Sequence, residues 1–253
     1  DWTDWQREQI NEFVARAYNC VTDIKPEIKV SAAVIGSYKT DHWNGYSAGF
    51  QDPRRWLEIG KIDLIIPMTY YHLNHKNFTF NKALKEWQSV IDNPDQIFPA
   101  LAAYNLSWEE IIEEIHLVRN SHFKGMVFFA ASSLDSEKLQ SLQTTEFQYP
   151  SIFPCLTWKD SVAPPSPINF AVEKLTSDSL EFIWQIPHQS NDIKKFVIYQ
   201  SKNLPIDLTK GENILAIVAG SDTSYQTKFN LPDQRRYYYT ITSLDAAYNQ
   251  SEP

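Results

Sequence analysis

At 253 residues the chain can hold one large or two medium domains, and 43% hydrophobic content calls for packed cores rather than disorder. A net charge of −8 with no Lys/Arg run argues against nucleic acid or an anionic membrane surface as a partner. No apolar run is long enough for a transmembrane segment, and Cys20 and Cys155 are too few for a disulfide framework, so both read as buried free thiols.

The chain opens directly on a helix, with no charged-then-apolar leader, and has the look of an excised piece. Thr3-Asp-Trp-Gln6 has the form of a capping box, and Ile10, Phe13, Val14, Ala17, Tyr18, Val21 and Ile24 recur on one helical stripe until Pro26 ends it. The near-continuous apolar run Ile28–Ile35 predicts a strand covered on both faces. An aromatic-rich polar loop, 38–46, follows it, then a short helix at Pro53–Ile59 and a second strand at Ile62–Tyr70. Pro67 fits that strand only near its carboxyl end, where ladder bonding gives out. Asn81–Ile91 predicts a helix, Ile97–Tyr104 a strand, Ser107-Trp-Glu-Glu110 a second capping box opening a helix, and Met126–Ala131 a fourth strand. Strand, loop, helix and strand in alternation predict a parallel α/β sheet whose post-strand loops carry the chemistry.

At Ser161-Val-Ala-Pro-Pro-Ser-Pro167 the composition changes to that of a short, stiff linker. Beyond it every segment reads as strand: Asn169–Lys174, Ser179–Ile186, Lys194–Ser201, Ile214–Val218, Ser224–Phe229 and Arg236–Leu244. These predict an immunoglobulin-like β-sandwich over 168–253, with Trp184, Tyr199 and the Tyr237–Thr242 strand in its core. The α/β part, 1–160, supplies four strands, whereas a closed TIM-type (β/α)8 barrel takes about 250 residues. Half a barrel is the expectation. The alternative is a flavodoxin-like open sheet, which asks for a phosphate-cradling glycine turn where only Gly36 and Gly45 lie nearby.

Several short motifs resemble one family. They are Asp4-Trp-Gln-Arg7, Ile24-Lys-Pro26, Trp56-Leu-Glu58, Ile62-Asp63, Pro67-Met-Thr-Tyr70, Phe128-Phe129 with Ser132-Ser133, and Pro154-Cys-Leu-Thr-Trp158. In order and spacing this set resembles the bacterial glycosyl hydrolase-like 10 group of (β/α)8-barrel proteins, over residues 1–160 and about strands five to eight. Residues 165–253 resemble a fibronectin type III module, from Pro164–Pro167 and Trp184 to Tyr239-Thr-Ile-Thr242 and Asp245–Glu252. The resemblance implies a polysaccharide substrate, with bacterial cell-wall glycan leading, and a secreted or periplasmic location, with surface anchoring an option. It implies that the principal catalytic carboxylates sit on an earlier strand, before Asp1, so that this chain supplies substrate subsites. The rival is a non-catalytic glycan-binding or scaffold protein with a degenerate barrel.

Glycoside hydrolysis uses two carboxyl groups. Asp41 is the one carboxylate in the loop after the first strand, and is the catalytic candidate of this chain, as second acid or hydroxyl ligand. Asp135 reads as a cap for a helix beginning at Ser136, and Asp63, at a strand entry, as structural. Tyr70, Tyr71 and His72 end the second strand, and alternation turns one of the two tyrosines away from the site. Tyr38, His42 and Trp43 in the preceding loop suit stacking and hydroxyl binding, and Tyr104 and Asn105 after the third strand complete the substrate-binding set. His72 and His75 lack a third metal ligand, and Ser132 and Ser133 lack a nucleophile elbow; neither cofactor nor metal is expected. A half barrel has two open sheet edges, which predicts self-association through them.

Overall fold

The first helix, α1 (Trp2–Ile24), is capped by Asp1 rather than Thr3, with Asp1 Oδ1 accepting from the Asp4 amide at 2.9 Å. The expected apolar stripe makes part of its inner face, with Ile10, Val14, Tyr18 and Val21 half-buried. Arg7 and Asn11 are buried, while Phe13 and Ile24 lie outward with Trp2, Trp5 and the exposed Cys20. Polar contacts fix the inward side. Asn11 Oδ1 accepts from the buried indole of Trp56 at 2.7 Å, and the Tyr18 hydroxyl donates to Asp63, whose other oxygen takes the Val30 amide. The computed structural model describes residues 1–91, 93–176, 178–187, 192–228 and 237–253, so the expected strand ends at Phe229 and Arg236 lie outside the described residues.

The described residues form two units, Asp1–Ser141 and Leu142–Pro253. In the first, β1 (Ser31–Ile35) leads through α2 (Gly45–Ala48) and α3 (Pro53–Glu58) to β2 (Leu64–Met68). Then follow α4 (Phe80–Val90), β3 (Ala100–Leu101), α5 (Trp108–Asn120), β4 (Val127–Phe128) and α6 (Ser136–Thr144), the last capped by Asp135 Oδ1. β1 and β2 pair in parallel from Ser31↔Leu64 to Ile35↔Met68, and β3 and β4 pair in parallel. A parallel bridge between Ile65 and Ile97, with the Phe98 amide donating to the Ile65 carbonyl, joins the two pairs. Strand order therefore follows chain order. A flavodoxin-like sheet would instead place β1 between β2 and β3. Ile65, Phe80, Leu84, Trp87, Ile97, Leu101, Ile111 and Ile115 are fully buried and lock helices to sheet.

The second unit contains β5 (Ile168–Lys174), β6 (Ser179–Gln185), β7 (Lys195–Ser201), β8 (Ile214–Ala219), β9 (Ser224–Lys228) and β10 (Tyr238–Leu244). They form two antiparallel sheets of order β5-β6-β9 and β10-β7-β8. Phe182, Trp184, Phe196, Ile198 and Ile241 pack the interior. β7 is buried on its other face too, where Val197 and Tyr199 meet Ile152, Ile206 and Leu208. Ile152 belongs to the segment 142–160, which the sequence reading places with the barrel. Here Leu156 donates its amide to the Ala247 carbonyl, Cys155 Sγ donates to Asn249 Oδ1, and Phe153 packs on Tyr248. The proline-rich stretch also lies against this unit, its Pro165 carbonyl accepting from Ser243 Oγ at 2.6 Å.

Candidate functional site

Parallel strands in chain order bring their carboxyl ends to one edge of the sheet, and three of those ends carry an aromatic ring. Tyr70 follows β2, Tyr104 follows β3 and Phe129 follows β4. Tyr70 stacks on Phe129 with centroids 5.7 Å apart, and Tyr104 meets both edge-on at 5.9 and 6.0 Å. Tyr104 is 57% exposed and Phe129 53%, so the cluster keeps open ring surface instead of burying it. Phe129 is absent from the set expected from sequence, because alternation along Phe128-Phe129 does not say which ring leaves the sheet. Tyr71 diverges from Tyr70 as alternation predicts, packing on Phe78 and His75. A side chain at Gly36 would collide with the Met68 carbonyl and the Tyr71 ring, so glycine is required where β1 ends.

Beside the rings lies an open cleft of about 590 Å³, between the loop after β2 and the start of α5. His72 Nδ1 stands 3.0 Å from Glu110 Oε2, and His72 Nε2 is 3.4 Å from the Asn105 side-chain nitrogen. The carboxylate holds the Nδ1 proton and leaves Nε2 toward Asn105 and the solvent. Glu110 Oε1 also accepts from the Leu73 amide at 2.8 Å. The expected capping box is thus half formed: Ser107 Oγ accepts from the Glu110 amide, but the glutamate turns to the neighbouring loop. His75 is engaged separately, its Nδ1 accepting from the Phe78 amide.

The loop after β1 is held by Glu86 of α4. This buried carboxylate accepts from Ser37 Oγ (2.9 Å), the Lys39 amide (2.6 Å), and the amide and hydroxyl of Thr40 (2.8 Å each). Ser37 Oγ in turn accepts from the Asp41 amide. Asp41 Oδ1 accepts from the amide and, at 2.9 Å, faces Nδ1 of the exposed His42. Trp43 presents its ring outward at 59% exposure. Tyr38 does not: it is 3% exposed, packs on Trp87 and Tyr46, and donates its hydroxyl to Asp52 at 2.7 Å, so it has no face to offer a ligand. Burial, with Asp41 and Glu86 nearby, pushes the Tyr71 hydroxyl up to about 12. The structure therefore brings Tyr70, Tyr104, Asn105 and His72 together, and places Asp41, His42 and Trp43 on a separate clamped loop.

One turn beyond Glu110, Glu114 is wholly buried with no donor to either oxygen; burial, reinforced by Glu110 and Glu113, pushes its carboxyl up to about 9. Among the described residues one acidic trio lies within metal-ligand reach, Asp160, Asp192 and Asp245 of the second unit. Both Asp245 oxygens accept from Asn249 and Asp160 accepts from the Val162 amide, so two of the three acids already hold local contacts.

Comparison with known proteins bears on both units. The family model described as Glycosyl hydrolase-like 10 matches residues 1–115. "Glycosyl hydrolase YngK" of Bacillus subtilis (strain 168) is 25% identical over 98% of this chain and 53% of its own length. "Glycosyl hydrolase DigH" of Escherichia coli (strain K12) is 22% identical over 44% of this chain and 28% of its own. The chain thus spans about half, or less, of these relatives. Among solved structures, the fn3 domain of human collagen alpha-1(XX) chain overlaps 36% of this chain and 78% of its own, at TM-score 0.28 and 20% identity. The fn3 domain of human contactin 1 overlaps 41% and 81%, at TM-score 0.28 and 17% identity. No helix of the described residues is long and apolar enough to cross a membrane. Residues 1–115 are thus similar to the glycosyl hydrolase-like 10 family, and the strand orders above make the second unit a two-sheet antiparallel sandwich that resembles a fibronectin type III module.

Proposed function

We propose that this chain is the later part of a (β/α)8 glycoside hydrolase acting on polysaccharide, with bacterial cell-wall glycan as the leading substrate, in a secreted or periplasmic protein. The chain supplies substrate subsites along the barrel mouth. One observation carries the reading: the ends of β2, β3 and β4 converge to present Tyr70, Tyr104 and Phe129 as a partly open aromatic cluster, flanked by His72 and Asn105. Pyranose rings offer apolar C–H faces to such a surface and hydroxyls to the polar groups beside it. Chain-order pairing of β1 to β4 supports the half-barrel reading, since neighbouring staves of a barrel are consecutive strands.

The carboxylates near the strand ends are largely spoken for. Glu86 accepts from three loop residues, Glu110 faces His72 and Leu73, and Asp41 faces His42. This supports an acid pair supplied from elsewhere in the longer protein, and equally a non-catalytic glycan binder. Asp41 is the remaining candidate for a second acid. The test is binding of cell-wall glycan and of a chitin tetrasaccharide to this chain and to Tyr104→Ala and Phe129→Ala. Each substitution is expected to weaken binding by about tenfold, ~1.4 kcal/mol, with thermal stability little changed. Unchanged affinity in both variants would overturn the site, and glycan cleavage by this chain alone would overturn the placement of the acids.

A further inference from the structure

We infer that Glu86 and Glu110 are a matched pair of positioning residues, each anchoring the ligand-bearing loop of the unit before it. The inference rests on the glycan-binding reading above and deepens it. Glu86 sits on α4, the helix after β2, and grips the loop after β1. Glu110 sits on α5, the helix after β3, and grips the loop after β2. The same construction thus occurs in two successive units, offset by one strand each time.

A carboxylate has about four acceptor positions. Glu86 uses Oε2 for Ser37 Oγ and Oε1 for Lys39 N, Thr40 N and Thr40 Oγ1, so every donor it takes comes from one loop, and the buried carboxylate is committed to that loop rather than to acid–base work. What its charge does instead is set the path of the chain leading to Asp41, His42 and Trp43, with Ser37 passing the restraint on to the Asp41 amide. Glu110 fixes the Leu73 amide and the tautomer of His72 together, which aims Nε2 at the Asn105 side of the cleft. Ligand groups on loops held this way are ordered before binding, and less entropy is lost on association.

The test uses the full chain, a chitin tetrasaccharide, titration calorimetry and the backbone amide resonances. Glu86→Ala is expected to weaken binding by about tenfold and to move the Lys39 and Thr40 amide signals. Glu86→Gln, whose carbonyl still accepts from both amides, is expected to restore affinity to within about threefold of the parent. Glu110→Ala is expected to weaken binding similarly and to move the Leu73 amide and the His72 ring signals. Alanine variants that bind like the parent, or that bind weakly with those signals in place, overturn the inference. Should an alanine variant fail to fold, Thr40→Val strips one bond from the Glu86 clamp, and an unmoved Lys39 amide with full affinity then overturns it. Tyr104→Ala separates the two readings: if it binds like the parent, the glycan site itself is wrong, while the amide signals still decide whether the clamps exist.

Discussion

Glu114 lies on the inward side of α5 among Ile111, Ile115 and Val118, with both oxygens unpartnered. An ionised carboxylate there would lack any compensating donor, so the group folds neutral, its carboxyl at about 9 against an ordinary 4.5. The folded state binds the proton more tightly than the unfolded chain. This stabilising contribution is fully present below about pH 4.5 and is lost progressively as pH rises toward 9, at up to about 1.4 kcal/mol per pH unit. Glu114→Gln is expected to flatten this slope and to be the more stable protein at pH 8. Urea unfolding of parent and variant at pH 5 and pH 8 measures it, and equal slopes would show that Glu114 is charged in the fold. None of this is legible in the string Trp108-Glu-Glu-Ile-Ile-Glu-Glu-Ile115, where all four glutamates look like a solvated helix face. Glu86 and Glu110 are hidden for a related reason: their partners lie 37 to 49 residues away in sequence, on loops whose path no local pattern fixes.

At the scale of elements, helices and strands are legible where burial follows period, as with α4, whose Thr79 cap and buried Phe80, Ala83, Leu84 and Trp87 share one face. α1 is the counterexample. Its apolar stripe is only half-buried, and the residues it buries fully are Asn11 and Arg7, because the Trp56 indole needs an acceptor once buried and Asn11 provides it at 2.7 Å. Arg7 reaches the Tyr46 ring at 3.7 Å on the same side. Asn11→Ala would strand that N–H, and is expected to cost about 1–3 kcal/mol. Gln9→Ala, at an exposed position of the same helix, is expected to stay within about 0.5 kcal/mol of the parent. Denaturant midpoints of the two variants compare them directly, and equal effects would remove Asn11 as the docking contact. The segment 142–160 escaped for another reason. Its half-buried Ile152 and Phe153 and buried Leu156 mark a stretch that packs inward, but apolar residues do not declare which core they join.

For the chain as a whole, the consequence of chain-order pairing is an open sheet. β1 pairs only with β2 among the described residues, and β4 only with β3. Parallel strands are ordinarily covered on both faces and, in a barrel, on both edges. Here the helix preceding β1 carries Trp2, Trp5 and Phe13 on its outward side, with the two indoles stacked at 4.8 Å. Exposed rings on that helix and unpaired backbone on β1 are the two features that bury surface when further staves are added, whether from a longer chain or from a second copy. The isolated chain is accordingly expected to self-associate, with a mass by light scattering that rises above that of one chain as concentration increases. A Trp5→Ser/Phe13→Ser double variant, altered only on the outward face, is expected to shift this association to higher concentration while keeping the parent's circular dichroism. A single-chain mass across the whole dilution series, with the fold intact, would mean that β1 and the outer face of α1 are stable in water, and the half-barrel reading would lose its main structural consequence.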